Sequence, residues 1–338
     1  MSVKSVGTLM FCVLVLLGLQ VLAQETPNTK PIPVLTGVFS YQSSFEPGTQ
    51  EVAPEFDPIL LVPLGNKFLV ESEFEMSMDF TRDQGRVGPA VVEHGIEYLQ
   101  LDYVANPYLT VVAGRFLTPF GIYRERLHPM WIRNLAAEPI IFAMNDNSSN
   151  GAMLRGAAPV TSGMNITYAG YFSAPLDTSQ LQSDRRAGTR VSLVFPNKRF
   201  EAGVSFSRVL SGNRYNMVGS DVTWNVRRIP VDLRAEFVYS NTLGTGYWIE
   251  GAYRFDRFHN AFLRNSQIVA RMEQYRVPNL QQSLIDELPD SDTNRAAIGW
   301  NYTLYNGIRV DASYGRNFAK EDNHNTWTVG VSYRFAIF

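Results

Sequence analysis

With 338 residues, 45% of them hydrophobic, and a formal net charge of −2, the chain can bury a large apolar area but has no basic block for a nucleic acid. Its one cysteine, Cys12, lies in the N-terminal apolar run, so the rest of the chain has neither a disulfide framework nor a thiol nucleophile. No later segment offers 18 consecutive apolar residues, which excludes a transmembrane helix after that run.

Lys4, the apolar run Leu9 to Leu22 and the Val21-Leu22-Ala23 cleavage site predict a signal peptide over 1–23, with Gln24 as the first mature residue. An uncleaved anchor helix is the alternative, but a run of about 14 residues falls short of the roughly 20 that a span needs. Residues 24–33 are polar and proline-rich, a short periplasmic leader. The remainder, 34–338, reads as one domain.

From Val34 onward, strand-like runs alternate with turn signals. Sixteen are predicted: 34–45, 55–63, 67–81, 92–103, 108–117, 150–158, 163–173, 188–195, 199–209, 216–226, 230–240, 247–255, 262–275, 293–303, 307–317 and 326–338. Short connections, such as Leu64-Gly65-Asn66, Pro196-Asn197-Lys198, Arg227-Arg228-Ile229 and Tyr305-Asn306, alternate with longer ones near 46–54, 82–91, 118–149, 174–187, 276–292 and 318–325. Short turns on one rim and long loops on the other predict an antiparallel up-and-down transmembrane β-barrel of about sixteen strands. An even strand number puts both ends of the barrel on the short-turn, periplasmic side.

Strand parity sorts the residues by face. In the third run Phe68, Val70, Phe74, Met76, Met78 and Phe80 share one face, and Glu71, Glu73, Glu75 and Asp79 share the other. Four carboxylates on one wall belong in water. Later runs place Arg234, Arg254, Arg271 and Arg309 beside Glu236, Glu250, Glu273 and Asp311, which predicts a basic wall facing the acidic one across a lumen. A salt-bridge mesh filling a blocked barrel is the alternative; sixteen strands enclose more space than side chains alone fill.

The connection at 118–149 is unlike an exposed loop. Phe120, Ile122, Tyr123, Met130, Trp131, Ile132, Leu135, Ile140, Ile141 and Phe142 make it apolar, while Arg124, Glu125, Arg126, His128 and Arg133 charge it. Long loops in compact domains are usually functional or disordered. This one is expected to fold inward as a pore constriction, together with Arg115, and to form a short helix over 126–137 with Pro129 in its first turn. An external lid or subunit contact is the other reading.

In the last run Trp327, Val329, Val331, Tyr333 and Phe335 alternate with Thr328, Gly330, Ser332 and Arg334. This ending, with Phe338, resembles the C-terminal strand signal of bacterial outer-membrane barrels, although the apolar set counts back from Phe335. Gly114-Arg115-Phe116-Leu117-Thr118-Pro119-Phe120-Gly121 resembles the strand-to-loop passage of the phosphate-selective porin O and P family. Pro63-Leu64-Gly65-Asn66-Lys67-Phe68-Leu69-Val70-Glu71 is similar to the early hairpin of that broader group. The resemblance implies a Gram-negative outer-membrane porin and channel, a homotrimer, with outer-membrane lipid, lipopolysaccharide and the barrel-assembly machinery as partners. That family guides anions along arginines and lysines, whereas this chain has five lysines and an acidic wall, so pore formation alone is carried over.

The histidines at 94, 128, 259 and 324 lack paired ligand spacing, and the acids Asp286, Glu287, Asp290 and Asp292 lack calcium-loop spacing. No metal, no cofactor and no enzyme activity are expected. The function expected is passive diffusion of small hydrophilic solutes and ions, with weak anion preference set by the loop arginines. A closed structural or adhesion barrel is the alternative, and a barrel phospholipase a third reading.

Overall fold

The computed structural model describes residues 32–144, 148–176, 178, 181–226, 228–278, 288–304, 307–319 and 323–337. The expected signal peptide, nearly all of the leader, Arg227, Asp286, Glu287, Tyr305, Asn306 and Phe338 lie outside the described residues.

Each alternating run becomes a strand, because period-two alternation suits a sheet with two unlike faces. In chain order they are β1 (Val34–Glu46), β2 (Thr49–Leu64), β3 (Phe68–Asp83), β4 (Arg86–Val87), β5 (Val91–Asn106), β6 (Leu109–Leu117), β7 (Ser148–Thr161), β8 (Met164–Ser173), β9 (Arg186–Phe195) and β10 (Phe200–Val209). Then follow β11 (Asn216–Val226), β12 (Val231–Ser240), β13 (Gly244–Arg254), β14 (Ser266–Arg276), β15 (Thr293–Thr303), β16 (Ile308–Ala319) and β17 (Asn325–Ile337). Neighbours in sequence pair antiparallel, and β17 returns to β1 in register from Leu35↔Ile337 to Phe45↔Trp327. The two-residue β4 only pairs with the end of β3, beside the β5 ladder, so the closed barrel has sixteen strands. All sixteen coincide with the runs read from sequence. Closure leaves no unpaired edge, which a lipid environment demands.

The faces are those of a membrane barrel. Large apolar side chains such as Trp327, Met272, Ile249 and Phe39 are exposed, while Glu250, Arg271, Glu273 and Asp221 are buried on the inner side. A soluble protein distributes these classes the other way.

Several boundaries differ from the sequence reading. The connection expected over 46–54 is a tight turn at Pro47-Gly48, with Glu46 paired to Thr49 and Gly48 at φ +88°. Pro54 and Pro58 do not break β2: both stay in register with β1, opposite Tyr41 and Gly37, and only the ladder to β3 skips them. Likewise β3 runs on to Asp83 and turns at Gln84-Gly85. Before β14, residues Ala261–Arg264 form a helical turn, because the Asn260 side chain accepts hydrogen bonds from the Phe262 and Leu263 N–H groups at 2.9 and 3.2 Å.

Candidate functional site

The chain leaves β6 at Leu117 and re-enters the sheet at Ser148, the residue paired with Leu117. Between them the loop folds into the barrel. Its apolar side chains are buried against inward-facing residues of the far wall: Phe120, Ile122, Tyr123, Ile141 and Met144 with Met217, Val238, Trp248 and Tyr275. Leu135 packs with Ala252 and Val269. Wall glycines make room for these knobs. A Cβ on Gly299 would lie 2.4 Å from a Leu135 methyl, and one on Gly246 would lie 2.3 Å from Ile141.

Polar anchors fix the same path. Backbone N–H groups of Ile122 and Tyr123 both donate to Glu236 at 3.2 Å, and that of Ile140 donates to Glu273 at 2.7 Å. The Asn134 amide donates to Glu250 at 2.7 Å, while Asn301 and Arg309 donate to the Asn134 carbonyl at 2.8 and 3.1 Å. Buried polar groups need such partners, and the wall supplies them to a segment with little secondary structure of its own. This also corrects the expected helix over 126–137. The helical turn is confined to Tyr123–Arg126, because the carbonyls that would continue it are occupied: Arg133 donates to Leu127 and His128, and Arg309 to Arg133.

The loop charges divide into two kinds. Arg124 is buried, stacked 3.4 Å over the Phe142 ring and bonded to the Phe142 carbonyl. Arg133, with a side chain 10% exposed, holds Glu138 at 3.0 Å. Both fasten the loop to itself. Arg126 is 36% exposed at its side chain and reaches Glu201 of β10 at 2.5 Å; Glu125 beside it is half-buried. The His128 Nε2 faces the opposite wall, 3.7 Å from Glu97 and 4.0 Å from Glu73. Arg115 lies off the loop. It is opposite Leu99 on the lipid-facing side of β6, and donates to the Ile96 and Gln182 carbonyls.

On the walls, Glu71, Glu73, Glu75 and Asp79 all belong to β3. Glu71 accepts from Gln100 at 3.1 Å, Glu73 is buried, and Glu75 and Asp79 are half-buried. The arginines Arg234 and Arg271 flank Glu250 at 3.9 and 3.7 Å, Arg271 also meets Glu273 at 2.8 Å, and Arg254 pairs with Asp232 rather than Glu250. The basic wall is therefore largely neutralised.

Sequence reasoning missed Glu55, Asp57 and Glu97, which enlarge the acidic side through β2 and β5. It also missed Arg155, bonded to Asp102, Arg190, bonded to Glu201 and Asp221, and Arg295, bonded to Glu273. Strict parity applied to every run would have found all of these but Glu97, which a register shift between β3 and β5 leaves unpaired and which parity would place with Leu99 and Leu101 on the outer face.

No protein-family model matches the chain, and no curated protein matches it. Solved structures do. OmpF of Salmonella typhi, in complex with daunomycin, is 13% identical over 90% of this chain and 97% of its own, with a TM-score of 0.60. The anion-selective porin of Comamonas acidovorans is 12% identical, covering 90% of this chain and 100% of its own at 0.56. The outer-membrane channel DcaP of Acinetobacter baumannii is 12% identical, covering 93% and 100%, also at 0.56. At these identities the likeness is one of fold, and the chain has the closed sixteen-strand barrel of the bacterial outer-membrane porins.

Proposed function

We propose that this protein is an outer-membrane porin through which small hydrophilic solutes diffuse passively, with the loop at 118–147 setting the narrowest section. The observation that carries this reading is a polar lumen crossed by one loop, bonded to Glu201, Glu236, Glu250 and Glu273 on one side and facing Glu73 and Glu97 on the other. Reconstitution in planar bilayers tests it. Discrete conductance steps are expected, and their absence from correctly folded protein would favour the closed structural barrel. A homotrimer is part of the proposal; light scattering in detergent measures it.

Selectivity follows the charges that meet water. The expected anion preference rests on Arg115, Arg124, Arg126 and Arg133; of the three on the loop, Arg124 is buried and the Arg133 side chain is 10% exposed, which leaves Arg126 as the one that meets water. The half-buried carboxylates of Glu55, Glu75 and Asp79 have no cation within ion-pair distance among the described residues, unlike those on the opposite wall. A carboxylate-lined passage concentrates cations, so we infer weak cation preference, read as the sign of the reversal potential in a salt gradient.

A further inference from the structure

The short turns carry a second feature that transport does not use. The turn from β9 to β10, Pro196–Lys198, and the one from β11 to β12, at 228–230, stand side by side because β10 and β11 are paired. Between them, on the lipid side of the rim, lies a groove of about 490 Å³ lined by Asn197, Lys198, Phe200, Trp224, Val226 and Arg228.

Its two halves differ in chemistry. Phe200 and Trp224 oppose each other across the ladder and meet edge to face at 6.4 Å, forming an apolar wall that continues down the barrel's outer face. Above it stand two cations. The Lys198 ammonium lies 5.5 Å from the centre of the Phe195 ring, and neither Lys198 nor Arg228 has a carboxylate partner among the described residues. On the long-loop rim, by contrast, Arg276 is paired with Asp292 at 3.3 Å and Arg186 with Asp184 at 3.7 Å. Unpaired cations above an aromatic wall match an anionic head group on an apolar chain.

We propose that this groove binds an anionic phospholipid of the periplasmic leaflet, its phosphate between Lys198 and Arg228 and an acyl chain along Phe200, Trp224 and Val226. The assignment rests on the short turns facing the periplasm and is independent of whether the lumen conducts. Lipopolysaccharide lies in the other leaflet and is the competing occupant.

Native mass spectrometry of the detergent-solubilised protein tests it, with dioleoyl phosphatidylglycerol, dioleoyl phosphatidylcholine and lipopolysaccharide as separate probes. Retention of phosphatidylglycerol over both others is expected. Cations near a membrane surface each contribute about 1 kcal/mol toward anionic lipid, so Lys198→Gln with Arg228→Gln should lower its retention roughly thirtyfold. Arg257→Gln with Arg264→Gln, elsewhere on the same rim, should leave it unchanged. Equal retention of phosphatidylglycerol and phosphatidylcholine, a preference for lipopolysaccharide, or retention that survives the Lys198 and Arg228 changes would overturn the assignment. The heat-modifiable gel shift of each variant verifies that it has folded.

Discussion

Among single residues, His128 carries a protonation that bears on the loop. Burial, with Arg133 and Arg124 nearby, pushes its imidazole down from 6.5 to about 3, and the carboxylates of Glu97 and Glu73 do not reverse this. An imidazole released into water keeps its ordinary value near 6.5. The released loop therefore takes up a proton as pH falls below 6.5, whereas the docked loop does not until about pH 3. Docking is fully favoured above pH 6.5 and loses about tenfold per pH unit below it. Conductance is expected to rise or become noisier between pH 7 and 4.5, and His128→Gln should flatten that response. A wild-type channel with constant conductance over the range would contradict it. The arginines separate in the same assay. Arg126→Gln should shift the reversal potential toward cations, because it uncovers Glu201. Arg133→Gln removes bonds to the Leu127 and His128 carbonyls, about 1–3 kcal/mol of loop anchoring, so it should alter current noise with little change in selectivity. Nothing in the sequence distinguishes Arg126 from Arg133. Both are charges in an apolar loop, and only the partners met after folding, the wall carboxylate of Glu201 for one and groups of the loop itself, Glu138 among them, for the other, decide which faces water.

At the scale of elements, the sixteen strands were legible because period two survives in every run, from Phe39 and Tyr41 on β1 to Val329 and Val331 on β17. The strand ends were not. Pro54 and Pro58 carry the signal of a break, and only the partner strand shows that β2 runs through them, paired to Tyr41 and Gly37 of β1. The loop's inward fold was legible from its apolar content, but its helix was not, since wall side chains took the carbonyls a helix would use. Its seating over wall glycines gives a test. Gly299→Ala brings a Cβ against Leu135, and overpacking of this kind costs about 1–3 kcal/mol. Larger conductance is expected from the displaced loop, and adding Leu135→Ala should return it toward the wild-type value. If the two changes act additively instead, the contact does not hold the loop.

For the whole molecule, assembly depends on the last strand finding the first. Phe335 contributes to that seam: its ring lies 5.5 Å from Phe39 and 5.9 Å from Phe56, which stack on each other at 4.2 Å. Phe335→Ser should lower the amount of barrel in the membrane, measured as the heat-modifiable gel band, while channels that do insert keep their conductance. Normal yield would show that the aromatic ending is dispensable.

The loop's two feet stand on adjacent staves, Leu117 directly across from Ser148. Everything between them is therefore an excursion from a hairpin that would be complete without it. Joining the feet with a short turn shortens the segment that must be closed, and the entropic cost of closure falls with length. Deleting about 122–140 should accordingly leave a folded barrel with higher conductance. The permeability of the wall and the integrity of the wall are separable here: sequence change in the excursion can re-tune what passes without renegotiating how the barrel closes.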